Sequence, residues 1–187
     1  MPDNLPATLK VLPPNHPFLL GKAKGTQNYV CLPAGVDAAG NPKFAWTLFT
    51  PEATLFSDDP SDPKQLITHF FSPNPDEFDN TKPFTDFHPI RATWEHSRDT
   101  SAVWARTFVK DDAVVVDPSA VAWLKLTVVG AENGPTGGDA LTAATFIQRV
   151  NTVGGIAPSS DTCDSLEEVG TQAFRPYTAD YIFYTDK

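Results

Sequence analysis

Cysteine, methionine and basic residues are scarce in this chain of 187 residues, which holds two Cys, one Met and 14 Lys and Arg in all. Each scarcity excludes something. Twenty-three acidic residues stand against those 14 basic ones, for a formal net charge of −9. Phosphate backbones are held by clustered Lys and Arg, so nucleic acid is not an expected partner. An anionic membrane surface is disfavoured for the same reason. No apolar run approaches the ~20 residues of a spanning helix, so no membrane insertion is expected. A neutral ligand, by contrast, meets no electrostatic penalty.

Several chemical signatures are missing too. The four histidines, His16, His69, His88 and His96, show no H-x-H or H-x-x-x-H spacing, so no metal site is read from them. The acidic loop SDDPSD, with Asp58, Asp59 and Asp62, lacks the Gly and Glu of an EF-hand and reads as solvated. No G-x-S-x-G elbow marks a nucleophilic serine. The glycine-rich VVGAENGPTGGDAL (128–141) is neither a dinucleotide fingerprint nor a phosphate loop. It reads as a wide hairpin turn in which Gly134, Gly137 and Gly138 permit positive φ. No cofactor is expected.

What is present is strand material. Eighteen prolines and eleven glycines punctuate short runs of Val, Ile, Phe, Tyr, Trp and Thr. Candidate strands are 17–23, 27–32, 44–49, 53–57, 65–71, 90–96, 102–109, 122–130, 144–150 and 180–185. Nine or ten strands over this length predict an all-β, antiparallel sandwich or barrel with long loops. At most one or two short helices are expected. The best is DSLEEVGTQA (164–173), with Asp164 as N-cap and Glu167 three residues later; DPSAVA (117–122) reads as a short turn. Hydrophobic residues make up 41% of the chain, enough to core one domain over 1–187, with 1–16 as an extended, Pro-rich arm. The loop at 72–89 is long, polar and carries Phe78, Phe84 and Phe87, the kind of loop that is often functional. Nothing in the sequence sets the oligomeric state.

Cys31 and Cys163 are an even pair at long separation. That suits one disulfide in an oxidising compartment, the alternative being two buried thiols.

Period-two arithmetic sorts the polar strand residues by face. His69 shares a face with Ile67 and Phe71. Trp94 and His96 share one with Ala92. Gln148 goes with Phe146 and Val150, while Arg149 points the other way with Ile147 and Asn151. His69 and Gln148 are thus polar groups on core faces, where they either satisfy each other or backbone, or line a pocket walled by aromatics. Asn151 and Thr152 are expected to cap the Gly154–Gly155 turn. Arg149 carries a planar fork suited to a carboxylate or to stacking. Leu124, Leu126 and Val128 form a core face, which turns Trp123 outward with Lys125 and Thr127, exposed for a sugar ring or a partner surface. TWEHSRDTSAVW (93–104) concentrates Glu95, His96, Arg98, Asp99 and Ser101. His96 and Asp99 there form either an acid–base pair or part of a solvated turn.

The motifs GTQNYVC (25–31), WTLFTPEATLFSD (46–58), ITHFF (67–71), TWEHSRDTSAVWA (93–105), AWLKLTVVG (122–130), TFIQRVNTVGGIAP (145–158) and PYTADYIFY (176–184) occur in order along nearly the whole chain. Together they resemble the uncharacterised family catalogued as domain of unknown function 3455. That resemblance implies a secreted or periplasmic mature protein with a Cys31–Cys163 bridge. MPDNLPATLKVLPPNHP (1–17) itself lacks the basic end and apolar middle of a leader. Some fungal members of that family carry a malate dehydrogenase label, to which this chain, without a dinucleotide fingerprint, gives no footing.

Three functions follow. The first is a non-catalytic binding or surface-associated protein for a glycan or small organic molecule, using His69, Trp94, His96, Trp123, Gln148 and Arg149. The second is an extracellular hydrolytic or metal-dependent enzyme using His69 or His96 with Glu95 or Asp99. The third is a structural secreted protein without a small ligand.

Overall fold

The computed structural model describes residues 2–81 and 88–187. Nine antiparallel strands follow one another: β1 His16–Val36, β2 Pro42–Phe56, β3 Gln65–Pro73, β4 Ile90–His96, β5 Ala102–Arg106, β6 Ala113–Val114, β7 Trp123–Glu132, β8 Phe146–Gly154 and β9 Gln172–Thr185. Their order is β5-β4-β3-β2-β1-β9-β8-β7-β6, and β5 also pairs with β7. That last pairing decides between sandwich and barrel. It joins Ala102–Arg106 to Thr127–Glu132 and closes eight strands into a barrel. The sandwich expectation is therefore corrected: one sheet curls onto itself, which removes its open edges. β6 stays outside, on the stretch of β7 that β5 does not reach, with Ala113 opposite Leu124.

Two expected strand breaks are absent, so ten segments become eight of the nine strands, β6 being the ninth. Runs 17–23 and 27–32 are one strand, β1, and 44–49 with 53–57 are one strand, β2. Gly25 joins the first pair because it faces Ala53 at a close approach: a Cβ there would lie 1.9 Å from the Glu52 carbonyl oxygen. The glycine marks tight strand contact in a barrel wall rather than a turn. Pro51 likewise sits inside β2 opposite Gln27, beside a register shift at Asn28/Tyr29. β9 extends well before residue 180, through Pro176 opposite Thr26.

The expected helix at 164–173 is one 3-10 turn, Leu166–Glu168. Its carboxylate brace comes from Glu168, which accepts the N–H groups of Asp164 and Ser165 at 2.7 and 3.3 Å. Leu166 is exposed, so no apolar stripe is buried to sustain a longer helix. Three more 3-10 turns, at Ala7–Leu9, Lys110–Asp112 and Ser160–Thr162, complete the helical content of the described residues, and Pro118–Ser119 form the short turn near 117–122.

The barrel wall has two buried faces. Inside it pack Leu55, Ile67, Trp94, Val103, Leu126, Ile147, Tyr181 and Phe183. Outside β7, β8 and β9, a second cluster of Trp123, Val150, Ile182 and Tyr184 is covered by Leu9, with Leu5 and Val11 beside it. The N-terminal arm is thus pinned through a fully buried leucine, a burial that stabilises by about 2–3 kcal/mol. Lys125 secures it further, donating to the Thr8 carbonyl at 2.8 Å. Cys31 on β1 and Cys163 form a disulfide with Cα atoms 5.6 Å apart. Both are buried, and the bridge fits an oxidising, extracytoplasmic setting. No helix among the described residues is long and apolar enough to cross a membrane.

Candidate functional site in the barrel interior

The two ends of the barrel interior differ. Leu55, Ile67, Ile147 and Phe183, none of them exposed at all, fill one end. Towards the other end several inward positions are smaller or polar: Gln27 on β1, His69 on β3, Ala92 on β4, Ala105 on β5 and Arg149 on β8. A cavity of about 610 Å³ results. Pro118, Ala120, Val121 and Ala122 from the loop before β7, with Ile156 and Ala157 after β8, complete its wall. That volume falls in the range that holds a small organic molecule.

Three rings of the lining pack together, one stacked pair with a third ring against it edge-on. His69 lies parallel to Trp94, with centroids 4.3 Å apart and planes 9° apart. Tyr181 meets His69 at 5.2 Å and Trp94 at 5.6 Å. Strand pairing sets this up, because His69 faces Trp94 across β3 and β4. His69 Nδ1 lies 2.8 Å from the Thr93 carbonyl oxygen. A carbonyl only accepts, so Nδ1 carries the proton. Burial pushes the imidazole pKa down to about 3, with the Arg149 charge acting the same way and the Thr93 bond opposing. His69 is therefore a neutral ring at physiological pH.

Arg149 is the cationic counterpart. It faces Tyr181 on β9 and Leu124 on β7. Its Nε and Nη2 both donate to the Ala122 carbonyl, at 3.0 and 2.9 Å. No ion pair among the described residues includes it. Its charge also works against the burial that raises the Tyr29 and Tyr177 hydroxyls. Two other arginines line the cavity, but both lean on Glu77. Arg91 Nε is 2.7 Å from that carboxylate and Arg106 Nε is 4.0 Å from it. Arg91 holds the Glu77 carboxyl below its ordinary range against partial burial. Arg106 in addition lies over the Phe108 ring at 4.3 Å. No aspartate or glutamate is among the described residues lining the cavity.

Three buried donors on this lining have no hydrogen-bond acceptor: Gln27 Nε2, Trp94 Nε1 and Arg106 Nε, the last only within ion-pair range of Glu77. Gln27 interacts with the Tyr177 hydroxyl, yet its amide nitrogen finds no partner in hydrogen-bonding geometry. Tyr29, at the same end, donates to the Gly155 carbonyl at 2.8 Å.

Of the residues singled out from sequence, the structure brings His69, Trp94 and Arg149 to the cavity, and not Gln148, Trp123 or His96. Gln148 lies on the opposite side of the wall. Its Nε2 donates to the Leu9 carbonyl at 2.5 Å, and its Oε1 accepts from the Tyr184 hydroxyl. His69 and Gln148 thus each bond to backbone, through different partners on different faces. Trp123 does point outward from the barrel, but it is only 5% exposed beneath Leu9, which corrects the expectation of an exposed ring. Asn151 and Thr152 do not cap the glycine turn. Asn151 takes a positive φ of 51° at a register shift in β8 and donates to Asp180. Thr152 donates to the Val121 carbonyl.

His96 and Asp99 do meet, with Nδ1 3.0 Å from Oδ1. The same Asp99 oxygen accepts the Ser101 N–H and hydroxyl, and its other oxygen accepts the Ala140 N–H. Burial pushes this carboxyl up, yet those bonds and His96 together hold it far below the usual range. The glycine-rich loop packs on it: a Cβ on Gly138 would fall 2.2 Å from Asp99 Cβ. The cluster is a brace between the β4–β5 turn and the 133–141 loop. Glu95, its other acidic neighbour, lies away from the barrel cavity. In the acidic loop Asp58 pairs with Lys22 at 3.4 Å and Asp59 caps Ser61. Among the described residues no group of three or more His, Cys, Asp or Glu converges as metal ligands would. Of the loop aromatics, Phe78 is exposed and packs on His88, while Phe84 and Phe87 lie outside the described residues.

Gln27, Tyr29, Arg91, Arg106 and Tyr181 are cavity residues that sequence reading missed. Gln27 carried one usable signal, since it shares strand parity with Ala23 and Gly25 in KAKGTQ. A large amide continuing a run of small inward residues marks the point where packing gives way to space.

A family model described as a protein of unknown function (DUF3455) matches residues 13–185. No curated protein and no solved structure matches the chain.

Proposed function

The chain belongs to the DUF3455 family, whose description assigns no activity, and from the site alone we propose that it is a non-catalytic binding protein holding one small, largely apolar organic molecule inside the barrel. The observation that carries this reading is the cavity itself, about 610 Å³ with walls of alanine, leucine and three packed rings, His69, Trp94 and Tyr181. Eight-stranded barrels are just wide enough to be filled by side chains or to hold one small ligand. Here small inward residues supply the room. A glycan fits less well, because burying its hydroxyls requires a matching set of polar partners, and the polar groups on this lining are few. Catalysis has little support. His69 is a neutral ring whose only proton goes to a backbone carbonyl, and the His96–Asp99 pair lies away from the cavity. An extracytoplasmic carrier or sensor of such a molecule is consistent with the buried disulfide.

A fluorescence titration with the neutral apolar dye Nile red tests the proposal. Saturable binding of one dye per chain is expected. Ala105→Phe and Ala92→Phe, each placing a ring in the cavity, should weaken it at least tenfold while leaving the melting temperature within a few degrees. Dye binding that does not saturate, or that persists in both folded variants, would sink the reading.

A further inference from the structure

We propose that the molecule held in the barrel is an organic anion, a monocarboxylate with an apolar body, and that Arg149 receives its carboxylate. The inference rests on the binding reading above and adds the chemical class of the ligand.

Charge is the first argument. In a chain of net charge −9, the described lining of the barrel cavity carries arginines and no acid. Arg91 is bonded to Glu77 at 2.7 Å, and Arg106 stands within ion-pair range of the same carboxylate at 4.0 Å. Arg149 alone has no counter-ion among the described residues, although it is half-buried in an apolar wall. An anion paired with that half-buried guanidinium offsets the solvation it loses to the wall.

Geometry is the second. Arg149 spends Nε–H and one Nη2–H on the Ala122 carbonyl. A guanidinium carries five N–H donors. Of the remaining three, one on each Nη lies along the Nη1/Nη2 edge, which is the fork that pairs a carboxylate through two parallel bonds. The Ala122 anchor fixes the guanidinium plane in advance, so little freedom is lost on binding. Without a ligand the backbone bond explains why Arg149 is ordered, but not why a cation is used: a neutral amide would serve one carbonyl.

Gln27 Nε2 and Trp94 Nε1 are both donors, both on the lining and both without an acceptor, and each side chain is 1% exposed. Leaving such groups unpaired in an apolar setting is unfavourable. A ligand rich in acceptors satisfies them; a donor does not. The body of the ligand meets the rings of His69, Trp94 and Tyr181, which favour an alkyl chain or an aromatic ring.

Calorimetric titration with two matched pairs tests this, decanoate against decanol and 2-naphthoate against 2-naphthamide. Within a pair the body is shared and only the charged head differs. In at least one pair the carboxylate should bind wild-type protein tenfold or more tightly than its neutral partner. Arg149→Met should erase that preference while changing the affinity of the neutral member less than threefold. Arg149→Lys, which keeps the charge without the fork, should keep only part of it. Neutral members that bind wild type as tightly as the acids would overturn the anion inference while leaving the binding reading intact. So would a preference that survives Arg149→Met. Failure of all four compounds and of Nile red would overturn the binding reading itself.

Discussion

Gln148 and Arg149 are neighbours on β8, and they live in different chemistries. Gln148 faces the outer cluster, where the N-terminal arm seals the wall. Both of its polar atoms are bonded there, the nitrogen to the Leu9 carbonyl and the oxygen to the Tyr184 hydroxyl. Arg149 faces the cavity, holds one carbonyl with two of its donors and has three to spare. A closed polar account is what a structural site looks like. Surplus donors of one kind, gathered on a concave apolar surface with no opposing acid, are what a binding site looks like. The comparison separates two residues that composition and position treat alike.

Variants can break that contrast or sharpen it. The reference is the disulfide, which belongs to neither face. Replacing Cys31 and Cys163 together by serine removes a link between residues 132 apart in sequence and should cost about 4–5 kcal/mol by the loop-entropy account, read from urea unfolding. On the outer face, Gln148→Leu removes the bonds to the Leu9 carbonyl and from the Tyr184 hydroxyl. A loss of about 2–4 kcal/mol is expected, with Nile red affinity of the folded protein unchanged. A weakened dye site in that variant would show that the two faces are not separate.

The third effect is set by pH. His69 has a pKa of about 3 in the folded protein against about 6.5 in an unfolded chain. As pH falls below ~6.5 the unfolded state takes up a proton that the folded state refuses, so stability is whole above that value and declines towards pH 3. The slope reaches about 1.4 kcal/mol per pH unit. Comparing urea midpoints of wild type and His69→Phe from pH 7 to 4.5 isolates it, and the variant should show a flatter profile. Equal slopes would mean that His69 is solvated. The smallest stability effect belongs to Arg149→Met, which strands one carbonyl and should change unfolding free energy by about 1 kcal/mol or less. A loss several times larger would make Arg149 a structural residue.

Much of the wall was legible in advance. Alternation placed His69 with Ile67, and Arg149 opposite to Gln148, and both parities hold. What alternation lacks is a sign. An arm covers the outer face of β7, β8 and β9, so Trp123 and Val150 are as buried as Leu126 and Ile147, and the usual contrast of one wet and one dry face is erased. That is why Trp123 reads as exposed and Gln148 as a pocket residue. Gly25 and Pro51 read as breaks because turns are where such residues usually fall, whereas barrel curvature uses them inside strands. Closure through β5 and β7 depends on a pairing between segments more than twenty residues apart, which local pattern does not encode. The cavity follows from closure together with a few small side chains, and its cationic lining was visible only as one arginine on one strand.

The most direct test of the account is a crystal structure of the protein grown with decanoate. The account predicts the alkyl chain inside the barrel against His69, Trp94 and Tyr181, with its carboxylate in paired contact with the Nη1/Nη2 edge of Arg149. Decanoate bound only on the outer surface, or within the barrel with its head turned away from Arg149, would contradict it.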